Sequence, residues 1–157
     1  MEAVAVAASI LQIATVGLAL AQVLYDFYDD VSTSNQQVKE LAFYVRSTST
    51  VLEEIGKVFQ DEGNAIQPNI SQNAIATVKD IAENCTVAFN TLQHMVASSD
   101  QSALGPLKFA FKTSRLKILQ CGLGEMRSNL QCMIQVVIYA RLKAEPRGGS
   151  TMLNNEP

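Results

Sequence analysis

The sequence predicts an all-α fold, an antiparallel bundle of four long helices plus a short extra one. Three observations carry this reading. Apolar residues recur in steps of three and four along four stretches, which places them on one helix face. Clusters of Ser, Asn, Gly and Pro, the residues that cap and break helices, separate those stretches. No run of useful length alternates apolar and polar residues as a half-buried strand does. With 157 residues and 48% hydrophobic content, the chain suits one domain with its own core and is too short for two comfortable ones.

The first element spans residues 3–25, an uncharged stretch dominated by Ala, Val, Ile and Leu. Ser9, Gln12, Thr15 and Gln22 are its polar side chains. As a helix it is about 34 Å long, against roughly 30 Å for the hydrocarbon core of a bilayer. A secretory signal is not expected: Glu2 precedes the apolar run, and Lys39 is the first basic residue. Permanent anchoring is disfavoured because no Lys or Arg flanks the segment and Asp26, Asp29 and Asp30 follow it. Gln12, Thr15, Gln22 and Asp26 fall within about 80° of helical arc, with Ala8 and Ala19 between them. One narrow polar stripe predicts a helix nearly surrounded by neighbours in a bundle. A core helix, a conditionally inserting helix and an anchor all satisfy the stretch. Its candidate membrane-targeting residues are Val4, Ile10, Leu11, Ile13, Leu18, Leu20 and Leu24.

Ser32, Thr33, Ser34 and Asn35 supply caps for the second helix. Val38, Leu41, Val45, Thr48, Leu52, Ile55 and Phe59 then form a heptad stripe, closed by Gly63 and Asn64 ahead of Pro68. Ser71 caps the third helix, whose seam is Val78, Ile81, Cys85, Ala88, Leu92 and Met95. A polar loop and Gly105-Pro106 break the chain, and residues 107–112 make a short aromatic piece. The last long helix carries Leu116, Leu119, Leu123, Met126, Leu130, Met133, Val137 and Ala140. The domain is expected over residues 1–143, with a flexible tail over 144–157.

Net charge is −3, but it is unevenly divided. Residues 1–100 hold 12 acidic and 4 basic side chains, whereas residues 101–157 hold 3 and 8. Lys108, Lys112, Arg115 and Lys117 form the one basic cluster, interleaved with Phe109 and Phe111, and are candidate contacts for anionic lipid. A solvated face over buried Phe residues explains the same pattern. With a pI near 5.1 and so small a basic set, no nucleic-acid partner is expected.

Cys85, Cys121 and Cys132 are odd in number and lack a C-x-x-C spacing, which fits a reducing, cytoplasmic compartment. His94 is the only histidine, so a Ser-His-Asp triad or a multi-His metal site would depend wholly on it. Gly122-Leu123-Gly124 lacks the third glycine of a dinucleotide fingerprint and follows no strand. No enzyme, cofactor or metal site is expected.

Several segments resemble the fungal HeLo-like N-terminal domain. They are the opening run Met1 to Ile10, Leu24-Tyr25-Asp26-Phe27-Tyr28, Leu107-Lys108-Phe109-Ala110-Phe111-Lys112, and Met126-Arg127-Ser128-Asn129-Leu130. The likeness covers about residues 1–143, through the order and spacing of motifs rather than any one of them. Ala3 stands where members commonly carry Pro, and Phe109 where many carry Trp. The resemblance implies a helical effector domain at the head of a fungal NOD-like receptor (STAND) protein, ahead of nucleotide-binding or repeat domains. It implies programmed cell death in heterokaryon incompatibility, through homo-oligomerisation and targeting of the plasma membrane by the first helix. The rival expectation is a non-lytic module that only recruits or self-associates.

Overall fold

The computed structural model describes residues 2–30, 36–65, 70–100 and 113–144. Among them are four α-helices and no strand: α1 (Glu2–Asp30), α2 (Gln36–Gly63), α3 (Gln72–Asp100) and α4 (Thr113–Ala144). The short extra helix expected over 107–112 and the tail beyond Ala144 lie outside the described residues.

The helix limits follow local chemistry. The Ser71 hydroxyl accepts a hydrogen bond from the Ala74 N–H at 3.1 Å, the capping geometry expected of it. At the far end of α2, the Asn64 N–H still reaches the Gln60 carbonyl at 3.2 Å, one residue beyond the glycine that ends the helix. α1 continues to Asp30, five residues past its apolar run. Hydrophobicity therefore marks the buried part of that helix rather than its end.

All four helices contribute to one core. Every residue of the α2 stripe is buried, from Val38 to Phe59. From α3 come Val78, Cys85, Phe89 and Leu92, and from α4 Leu123, Leu130 and Val137. Leu119, Met126 and Met133 of α4 pack against this core while remaining partly exposed. Phe89 is fully enclosed at 1% exposure although it lies outside the 3-4 seam read from the sequence.

The principal neighbours form a ring: α1 lies against α2 and α3, and α4 against the same two helices. Val4 is opposite Gly63, Leu11 opposite Gly56, and Gly17 opposite Ser49, so α1 and α2 run antiparallel. Residues lining the α1–α3 seam advance together, from Glu2 beside Lys79 to Val16 beside Asn90. Those two helices run in the same direction.

Candidate functional site

The site begins with the small residues of α1. Ala7, Ala14 and Ala21 recur every seven residues and are 1%, 1% and 2% exposed. On α2, Ala42, Ser49, Gly56 and Gly63 occupy the same repeat. Small side chains at every seventh position let two helix backbones approach closely. A Cβ at Gly56 would lie 2.8 Å from Leu11, and one at Gly63 would lie 2.5 Å from Val4. At Gly17 it would collide with the Ser49 hydroxyl and stand 2.6 Å from the Phe89 ring. The first two helices are thus clasped, each filling the notches of the other.

The α1–α3 side is built differently. Two cavities, of about 330 and 230 Å³, lie along this seam. They meet at Ile13, and Phe89 floors the second. α1 packs far more extensively along α2 than along α3.

The remaining face of α1 is open to solvent, which corrects the expectation of a nearly surrounded helix. Ala5, Ala8, Ser9, Gln12, Thr15, Val16, Ala19, Gln22, Val23 and Asp26 are all exposed. The polar stripe was legible, but Val16 and Val23, at 42% and 46% exposure, widen it. Two of its hydroxyls turn back on their own helix: Ser9 donates to the Ala5 carbonyl at 3.3 Å, Thr15 to Leu11 at 2.9 Å. Gln22 donates to the Asp26 carboxylate at 2.9 Å. Satisfying a hydroxyl within the helix lowers what it loses on leaving water. Between Glu2 and Asp26 this face bears no charge.

Of the membrane-targeting candidates, Ile10, Leu20 and Leu24 point into the core, and Val4, Leu11, Ile13 and Leu18 are half-buried. The larger apolar side chains therefore hold the bundle together. The side chains turned outward are smaller ones that sequence reasoning passed over. Among the basic candidates Lys117 is exposed on α4. Lys108 and Lys112 lie outside the described residues, as does the Arg115 side chain.

Sequence reasoning also missed a polar cluster between α2 and α4. Arg127 donates from Nη1 to the Ser47 hydroxyl at 3.0 Å, with its guanidinium carbon 5.5 Å from the centre of the Tyr44 ring. The signal was its place at i+4 from Leu123 and i−3 from Leu130, on the flank of the α4 seam. Close by, the buried Thr48 hydroxyl donates to the Leu123 carbonyl at 3.4 Å.

The chemistry available elsewhere is sparse. Among the described residues no group of three or more His, Cys, Asp or Glu is placed to hold a metal ion. Cys85 is buried with Sγ 3.5 Å from the Met126 sulfur, and burial pushes its thiol up to about 12. A neutral, enclosed thiol is no nucleophile at neutral pH. Cys121 and Cys132 are exposed on α4. Comparison with protein-family models, curated proteins and solved structures yields no match.

Proposed function

We propose that this chain is a signalling effector domain of the HeLo-like kind, which self-associates and carries α1 to a membrane. The observation that supports this reading best is the character of α1. Glu2–Asp26 is a 25-residue span long and apolar enough to cross a bilayer, yet only 33% of its most apolar window is buried in the bundle. Its inner face is aliphatic, and its outer face bears no charge between Glu2 and Asp26, with the narrow stripe of Gln12, Thr15 and Gln22 to be accommodated in lipid. The transition requires the inner face to leave the core, at a cost that lipid burial and contacts between copies must offset.

On this reading the four helices complete an antiparallel bundle, with a short helix over 107–112. The protein is cytoplasmic and not an enzyme, and meets the plasma membrane on activation. Its partners are further copies of itself, anionic lipid through Lys108, Lys112, Arg115 and Lys117, and downstream nucleotide-binding or repeat domains.

Flotation with anionic liposomes tests it, using the Ala19→Glu/Val16→Glu variant. Both positions are exposed, so the bundle should remain folded. The expected outcome is loss of flotation and of dye leakage at unchanged helicity. Undiminished leakage by a folded variant would reject the proposal.

A non-lytic recruitment module is the second reading, and the α1–α2 clasp favours it. A helix notched into its neighbour along its length is costly to withdraw. Tight self-association with no liposome binding under any condition is its signature.

A further inference from the structure

A cleft lies where the end of α1 meets α2 and α4. A cavity of about 430 Å³ opens there, lined by Tyr25, Phe43, Arg46, Ser47, Arg127 and Gln131. Its volume lies within the range of small-molecule sites, roughly 300 to 1,000 Å³. A second hollow of about 530 Å³ shares Tyr25 and Phe43 with it and continues toward Lys39 and Tyr44.

Arg127 is the unusual member. Its Nε is buried without a hydrogen-bond partner, while Nη1 uses a neutral hydroxyl and the plane rests near a neutral ring. Its contacts among the described side chains are the Ser47 hydroxyl and the Tyr44 ring, and Glu54 lines the same cavity. A partly buried guanidinium normally meets an anion, because the fixed charge has lost part of its hydration. Here a hydroxyl and a π-face stand beside the buried Nε.

Arg46 of α2, an exposed residue, also lines the cavity, within side-chain reach of a bound anion. Phe43 and Tyr44 stand edge to face, with ring centroids 6.0 Å apart and planes at 75°. Phe43 is 55% exposed, so its ring presents an apolar surface at the entrance. Two planar cations and aromatic walls are the recognition set for a flat organic body bearing an oxyanion.

We infer that this cleft binds a small ring-bearing organic oxyanion, its charged group held between Arg127 and Arg46 and its ring against Tyr25 and Phe43. The inference is independent of any membrane role for α1. It has a consequence for that role all the same. A ligand bridging α1, α2 and α4 stabilises the closed bundle and opposes its opening.

Phenyl phosphate is the probe, with inorganic phosphate and phenol as its two halves, followed by amide chemical shifts in the full chain. Phenyl phosphate should shift Tyr25, Phe43, Ser47 and Gln131 at millimolar concentration. It should bind about tenfold tighter than either half. Arg46→Ala, an exposed change that leaves the fold intact, should weaken it about fivefold or more. Arg127→Met should abolish it. If Arg127→Met fails to fold, Arg46→Ala still decides: equal affinity in that variant overturns the assignment. So does absence of shifts at those four residues in the wild type.

Discussion

Gly17 is where the clasp between the first two helices makes its sharpest demand. In a solvent-facing helix, Gly→Ala stabilises by about 1 kcal/mol, because alanine has less backbone freedom to lose on folding. At Gly17 the sign should reverse. The added methyl would collide with the Ser49 hydroxyl and lie 2.6 and 2.9 Å from two atoms of the Phe89 ring. Carbon atoms prefer about 3.5–4.0 Å, so the ring must retreat by nearly 1 Å within a core that leaves it 1% exposed. Ser49 can rotate away only by giving up its 2.7 Å hydrogen bond to the Val45 carbonyl. Overpacking of this kind costs about 1–3 kcal/mol and the lost hydrogen bond about 1 kcal/mol more, against the 1 kcal/mol gained. A net loss of about 2 kcal/mol lowers Tm by about 4–8 °C in a chain of this size. Gly122→Ala is the control within the same molecule. Its Cβ would meet only Met126, at 3.9 Å, so that variant should gain about 1 kcal/mol. Thermal and urea unfolding followed by circular dichroism read both. If Gly17→Ala melts higher than the wild type, the close approach of α1 to α2 is wrong.

Leu20→Glu places a carboxylate where Leu20 is 3% exposed, and should cost upwards of about 3 kcal/mol, read as a collapsed urea midpoint. Ala19→Glu, one residue away but facing solvent, should stay within about 0.5 kcal/mol of the parent on the same assay. A thiol reagent at pH 8 should label Cys121 and Cys132 quickly and Cys85 only after unfolding; three fast equivalents on the native protein would contradict its burial. The Cys85 thiol is raised from 9.0 to about 12 in the fold, so the unfolded chain loses its proton first. The corresponding stability is fully present below pH 9 and is lost as pH climbs from 9 toward 12. Cys85→Ala should flatten that alkaline decline relative to the wild type; an unchanged slope would assign it to other groups.

The seams of α2, α3 and α4 were legible because each is a simple repeat, and one apolar face per helix is what a bundle requires. The α2 stripe illustrates this: its members are all buried, Thr48 included, with only its hydroxyl needing a carbonyl to satisfy it. α1 was harder, for it is apolar nearly all round and no single stripe marks the face it buries. Small residues stand on both of its faces. Ala7, Ala14 and Ala21 are buried, yet Ala5, Ala8 and Ala19 face water, and composition alone does not separate them. The Arg127 cluster was illegible for another reason. Its parts lie some 80 residues apart along the chain and join only through the packing of α2 on α4.

The interlock of α1 with α2 also settles which parts of the molecule travel together. Two helices meshed notch to notch behave as a single blade, whereas the hollows beside Ile13 leave the edge toward α3 poorly glued. Any loosening should therefore start at that edge, and the first two helices swing away as one leaf only if the α2–α4 seam parts as well. Amide exchange would register this as α1 and α2 opening with a common free energy, and a covalent staple from α1 to α3 would arrest it while one from α1 to α2 would not.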